Sequence, residues 1–474
     1  MRPPCTRRAA AAGLLLSQLL WGCSLIPELP QPQAGLPAQY RPALPGAGTP
    51  IDSSSSAAAL GWRQMFPDPR LQQLITLALE HNHDLRLALL QVAQLQAQYD
   101  MAGSARLPSL EAGLGASRQR SSADAETKTG ISDSRSAALG ITAFEVDLFG
   151  RVGALSEAAF ARYLASEHGL RAARISLIGA VAEAYFAERL AEEQLRLTEL
   201  TLEDWRQSLE LARKLKLAQQ NSGLDVAQAE GQVATAEADL ESRRRALAQA
   251  RHGLALLTGT PQPPELPPPL ALDAHPVITQ LPAGLPSALL LQRPDLLQAE
   301  QSLRAANADI GAARAAFFPR LLLTLSVGAI SPSFGSLFQG DHRTWAFTPQ
   351  ITQPIFTAGR LRAELRLAEL RRTAAVVEYE RAIQGAFREV QDGLAGSATF
   401  GRQIEAQEKT VASAERRREL STLRYRAGLD SRLELLDAQR QAYGARLALL
   451  ELRREEIRNA IGLYKALGGG GEQG

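Results

Sequence analysis

Residues 152 to about 218 contain almost no helix breaker, and residues 360 to about 427 repeat that tract at the same length. At 1.5 Å per residue each would run about 100 Å as an α-helix. An ordinary globular domain has no use for helices of that length, and uninterrupted helical spans beyond about 25 residues point to coiled coils or helical tubes. The composition agrees: Ala, Leu, Arg, Glu and Gln dominate these tracts, and only 5% of the 474 residues are aromatic, as in long-helix proteins. A second helix is expected to return after each tract, at about 224–257 and 430–466.

The two tracts belong to a larger duplication. Asp84 matches Asp295 and Pro108 matches Pro319 at an offset of 211. Further on, "LFGRVGA" matches "IFTAGRLRA", which places Gly150 and Arg151 on Gly359 and Arg360 at an offset of 209. The copies close alike, with "LALLTG" at 254–259 and "LYKALG" at 463–468. One two-residue indel accounts for the change of offset. A competing register of 205, which would set Gly223-Leu224-Asp225 on Gly428-Leu429-Asp430, fails because the 209 register holds on both sides.

Each copy has the same grammar. Pro108 or Pro319 stops a helix that runs up to Gly103 or Ala313, since proline disfavours helix at and before its own position. Alternating segments follow: "LPSLEAGLGAS" and "SAALGITAFEVDLF" in the first copy, "PRLLLTLSVGAIS" and "TWAFTPQITQPIF" in the second. Leu321, Leu323, Leu325 and Val327 recur at every second position, which is strand periodicity. Many intervening residues are Ala, Gly or Ser, which suits a wide polar lumen with an apolar exterior. Four strands cannot close a barrel, and an open edge is not viable in lipid. Three chains would supply twelve strands and twelve helical positions.

The N-terminus reads differently. Arg2, Arg7 and Arg8 precede the short apolar run "AAAAGLLLSQLL", and the segment ends Leu20-Trp21-Gly22-Cys23. This is the architecture of a secretory signal, and L-x-G-C resembles a bacterial lipobox in which Cys23 becomes the lipidated (palmitate-bearing) first residue. Ser24, where Asp would favour inner-membrane retention, points to the outer membrane. Loss of the leader with its three Arg takes the formal net charge from +2 to −1 and leaves Cys23 as the one cysteine, so no intrachain disulfide is available. The near-neutral charge offers no electrostatic case for nucleic acid. No later run of about 20 apolar residues exists for a transmembrane helix. The expected organisation is a signal peptide at 1–22, a lipidated tether at 23–60, repeat 1 at 61–259, a Pro-rich equatorial linker at 260–290, repeat 2 at 291–468 and a flexible tail at 469–474.

"LQRPDLLQAEQSLRAANADIGAARAAFFPRL", "PIFTAGRLRAELRLAEL", "YRAGLDSRLELLDAQR" and "LYKALGGG", in this order and spacing, resemble the TolC-type outer-membrane factor family, most closely its lipoprotein efflux-duct branch (OprM/NodT-like). The resemblance covers residues 60–468. It implies an α+β membrane protein: a homotrimer with a twelve-stranded outer-membrane β-barrel, four strands per chain, continued by a long periplasmic α-helical barrel. It also implies a periplasmic membrane-fusion adaptor and an inner-membrane pump of the resistance–nodulation–division type as partners. The expected function is that of an exit duct for drugs or other small molecules. Type I protein secretion and metal efflux are alternatives, and a periplasmic coiled-coil scaffold is a distant one.

Glu434 and Asp437 lie three residues apart and so share a helix face; in the 209 register Asp225 falls on Glu434 and Gln228 on Asp437. The resemblance makes these the acidic ring of a periplasmic gate, with Tyr425 at the tip and Gly428 as the turn glycine. Asp430 stands where some members carry a basic residue, Arg432 follows it, and copy one has Gln219 where copy two has Gly428. Under threefold symmetry each acid would appear three times around one axis and attract cations at a constriction. The alternative is a solvated face on which the two acids pair with Arg432 and Arg440. His81 and His83 have no accompanying cluster and are expected in a solvated turn. No Ser/His/Asp or Cys/His constellation emerges, so an enzyme is not expected, nor a metal or other cofactor.

Overall fold

The computed structural model describes residues 24–29, 60–120, 131–220, 222–261, 263, 265–272, 274, 276–279, 281 and 293–469. The expected leader, Cys23, most of the tether, part of the linker, and residues 470–474 lie outside them. The helices are α1 (Trp62–Met65), α2 (Pro69–His81), α3 (His83–Ser104), α4 (Arg151–Leu217), α5 (Gly223–Thr258), α6 (Pro294–Ala315), α7 (Arg360–Arg426) and α8 (Arg432–Ala466). The strands are β1 (Leu110–Arg120), β2 (Ile131–Val146), β3 (Arg320–Ser331) and β4 (Arg343–Thr352). The duplication extends to helix lengths: α3 and α6 both have 22 residues, α4 and α7 both have 67, and α5 and α8 have 36 and 35. None of the described helices is long and apolar enough to cross a membrane.

The chain divides into two compact units. The first holds residues 90–167 and 298–380 together with the N-terminal segment, and its centre is an antiparallel sheet in the order β1-β2-β3-β4. Register places apolar residues in rows across all four strands. Leu110 pairs with Ile141, Ile141 with Leu325 and Leu325 with Phe347; the next row is Ala112, Leu139, Val327 and Trp345. These rows face outward in the single chain, with Trp345 76% and Phe347 56% exposed. The opposite face carries the small row Glu111, Gly140, Ser326 and Ala346. Alternation therefore sorts the sheet into one apolar and one small or polar face.

Between Ile141 and Phe144 the register slips, and Thr142 and Ala143 together oppose Thr324. Ala143 adopts φ 50° and donates its N–H to Thr324 Oγ1 at 3.2 Å. One extra residue in a strand reverses the side-chain alternation beyond it. Because of it Phe144 and Val146 rejoin the apolar face opposite Leu323 and Leu321. In the same unit residues 24–29 lie along α6. Asn307 Nδ2 donates to Pro27 O at 2.7 Å, and Ile26 fills the space that a side chain at Gly311 would need.

The second unit, residues 168–297 and 381–474 with 34–89, is helical where described. α4 and α5 form an antiparallel hairpin. Leu202, Trp205, Leu209 and Ala212 pack against Val226, Ala229, Val233, Ala236 and Leu240. Both series step by three and four residues, the seam of a left-handed coiled coil. α8 joins this hairpin laterally: the Tyr443 hydroxyl contacts Thr198 Oγ1 at 2.7 Å and donates to Asp239, and its ring lies edge-on to Trp205 at 5.9 Å. Asp68, fully buried, caps α2 through Arg70 N at 2.9 Å and accepts from Tyr185 Oη at 2.7 Å and Leu270 N at 3.2 Å. One carboxylate thereby ties the start of α2, the middle of α4 and the linker together.

Candidate functional site

Both long helices turn back through the same motif. In copy two, Leu429 N donates to Arg424 O at 2.9 Å and Gly428 N to Tyr425 O at 3.0 Å. In copy one, Gln220 N donates to Leu215 O at 2.8 Å and Gln219 N to Lys216 O at 2.9 Å. This bond pair is a Schellman closure, which needs a left-handed residue just past the helix. Gly428 supplies it at φ 71° and Gln219 at φ 60°. Ser222 and Ser431 then cap α5 and α8. The turns and caps thus coincide in the 209 register.

The expected site residues fall into four arrangements at these tips. Asp225 is absorbed by the cap of α5: Ser222 Oγ accepts from Asp225 N at 3.2 Å, and Asp225 accepts from Ser222 N at 3.0 Å. This reciprocal pair is a capping box. Asp430 accepts from Arg424 Nε at 3.2 Å and from Ser431 N at 3.1 Å, which fixes the turn of copy two. Glu434 and Asp437 come together on α8, where Arg417 of α7 holds both. Its Nη2 lies 2.5 Å from Glu434 Oε1 and 2.9 Å from Asp437 Oδ2, and its Nη1 donates to Gln441 Oε1 at 2.6 Å.

The acids therefore do pair, but not with Arg432 or Arg440. Arg440 Nε donates to Leu436 O of its own helix. Arg432 turns the other way: it is 3% exposed, its Nη1 donates to Ser208 Oγ of α4 at 2.7 Å, and its guanidinium lies over the Tyr425 ring at 5.4 Å. Its Nε has no hydrogen-bond partner among the described residues. Burial lowers the Arg432 pKa from its ordinary value, against the opposing pull of Tyr425 and Asp225. Arg417 and Ser208 escaped the sequence reading because each lies far along the chain from the residue it engages. A signal was present: in a helical hairpin, residues equidistant from the turn face one another, and Arg417 and Gln441 are such a pair about Leu429, with Asp437 one helical turn closer to the tip. No group of three or more His, Cys, Asp or Glu residues that could hold a metal occurs among the described residues.

Comparison with known proteins places these features in one family. The family model for outer membrane efflux proteins matches residues 74–260 and 285–469. The solvent efflux pump outer membrane protein SrpC of Pseudomonas putida is 44% identical over 457 residues, spanning 95% of this chain and 96% of that protein. The cation efflux system protein CusC of Escherichia coli is 40% identical over 456 residues, spanning 96% and 97%. The crystal structure of the open state of the Neisseria gonorrhoeae MtrE outer membrane channel superposes with a TM-score of 0.85 at 41% identity, covering 94% of this chain and 98% of that one. With two long helical hairpins, a four-stranded sheet sorted into apolar and small faces, and matches to the family over both copies, the chain belongs to the outer membrane efflux protein family.

Proposed function

We propose that this chain forms, as a homotrimer, the exit duct of a tripartite efflux system in a Gram-negative outer membrane. The observation that carries the reading is the sheet. One face is a run of exposed apolar rows, and β1 and β4 are each paired on one side only among the described residues. Unpaired backbone at a sheet edge is prohibitive in hydrocarbon. Three copies joined β4 to β1 would close twelve strands, turn the apolar rows to lipid and the small row to the lumen. The long hairpins would continue the duct into the periplasm, where a membrane-fusion adaptor and an inner-membrane pump supply substrate and energy. Substrate choice belongs to the pump: similar ducts carry names of both solvent and cation efflux systems.

Cys23 is the expected lipid attachment site. The docking of Ile26 and Pro27 on α6 supports this placement, because α6 ends only a few residues before β3 begins. Asp225, Tyr425, Asp430, Arg432, Glu434 and Asp437 make up the periplasmic gate. Cross-linking and sedimentation of the full chain extracted in detergent test the assembly. A trimer is expected, and a well-folded monomer would overturn the proposal.

A further inference from the structure

We infer that Arg417 sets the charge of the gate: it clamps Glu434 and Asp437 within each chain, and so governs how strongly the closed tip holds cations. The inference rests on the gate reading above and adds to it a residue outside the expected set.

The geometry is that of a built clamp. Glu434, Asp437 and Gln441 occupy one face of α8, at steps of three and four residues, and Arg417 reaches all three from α7 with its two terminal nitrogens. Gln441 Nε2 in turn donates to Asp437 Oδ2 at 3.1 Å, so the second acid is held from both sides. The planar guanidinium is suited to such multiple engagement.

Copy one provides the control. At its equivalent cap, Asp225 bonds back to Ser222 N and completes the capping box. Glu434 occupies the same third position of α8, and its N–H bonds Ser431 Oγ at 3.3 Å. Its carboxylate does not return to the cap. Ser431 N is satisfied by Asp430 instead, which leaves Glu434 free for Arg417. The position in copy one that matches Arg417 is Ser208, and Ser208 is the acceptor for Arg432. The position that matches Asp437 is Gln228. The clamp is therefore confined to the second copy, once per chain, where the duplication has diverged.

The consequence is electrostatic. Two carboxylates and one guanidinium leave each chain with one net negative charge at this level instead of two. A partly exposed ion pair adds little to stability, whereas a pore's selectivity depends directly on the charge lining it. Removing a unit charge about 5 Å from a divalent cation changes its binding by about tenfold even at the dielectric of water.

The test is single-channel recording in planar bilayers of wild type, Arg417→Gln, Glu434→Gln/Asp437→Asn, and the triple variant, with Mg2+ as the blocking cation. Arg417→Gln is expected to tighten Mg2+ block by about tenfold and to raise cation preference. The triple variant, neutral at this level where the acid double variant leaves one net positive charge per chain, is expected to show block between those of the double variant and wild type. Gln441→Arg adds positive charge to the same cluster and is expected to weaken block, which keeps the test open if Arg417→Gln does not assemble. If the acid variant weakens block while Arg417→Gln and Gln441→Arg leave it at the wild-type value, the clamp is refuted and the gate stands. If none of the variants alters block or selectivity, the gate reading falls and the clamp with it.

Discussion

Gln219 and Gly428 hold the same left-handed position in two otherwise matching turns. An L-residue there brings Cβ against the following carbonyl, at a cost of about 1–2 kcal/mol. Part of that cost is returned because glycine has more freedom to lose from the unfolded chain. Gln219→Gly is therefore expected to raise stability by about 0.5–1 kcal/mol, and Gly428→Gln to lower it by a similar amount. Thermal denaturation of the detergent-solubilised protein checks both, and a fall in midpoint for Gln219→Gly would contradict the strain argument. The sequence made this comparison possible, since it named both residues and set them at one offset. It did not reveal that the closure survives the loss of glycine, because propensity describes what a residue prefers and not what a seam of neighbours on α4 and α5 can impose. Arg417 stayed hidden for a related reason. Charged residues are common along α7, and only the three-dimensional phase of the hairpin selects this one as the partner of Glu434 and Asp437.

At the scale of the helices one ion pair recurs in both copies, with its charges inverted. Arg206 of α4 pairs with Glu237 of α5 at 2.7 Å, and at the equivalent level Glu415 of α7 pairs with Arg446 of α8. The sites correspond in the 209 register and the charges are exchanged. A hairpin needs complementary charges across its two arms at a given level, but either arm can carry either sign, so the pair can invert while the geometry stays. The exposed Arg206–Glu237 pair contributes little beside the apolar seam. Leu209→Ala is expected to cost about 2–4 kcal/mol, because Leu209 is buried within the α4–α5 seam. Arg206→Ala is expected to cost under about 1 kcal/mol. Chemical denaturation followed by circular dichroism separates the two, and equal losses would mean that charge rather than the seam holds the hairpin. The helical extents were legible from the sequence because breakers are absent and the period is sustained. The bulge in β2 was not read, although the apolar positions themselves change phase between Ile141 and Phe144. An alternation counted over a whole strand averages such a slip away.

For the whole molecule, the sheet imposes the strongest condition. Neighbouring residues of β4 face opposite ways, so Ala346 belongs to the small row with Ser326 while Phe347 belongs to the apolar row with Leu325. In the proposed barrel the first side chain meets the aqueous lumen and the second meets lipid. The same substitution at the two sites should then have opposite consequences. Phe347→Arg places a charge in hydrocarbon, at a cost of about 2–4 kcal/mol per chain near the midplane, and closure by three chains counts that cost three times. It is expected to remove the trimer from the outer-membrane fraction. Ala346→Arg places the same charge toward the lumen and is expected to leave the trimer in place while altering ion conductance. In a soluble assembly neither face would meet lipid, and two exposed arginines on one edge strand would be equally tolerated. Membrane fractionation of the two variants, followed by cross-linking, therefore distinguishes a barrel from a helical scaffold: loss of the Phe347 variant alone supports the barrel, and equal recovery of both would rule it out.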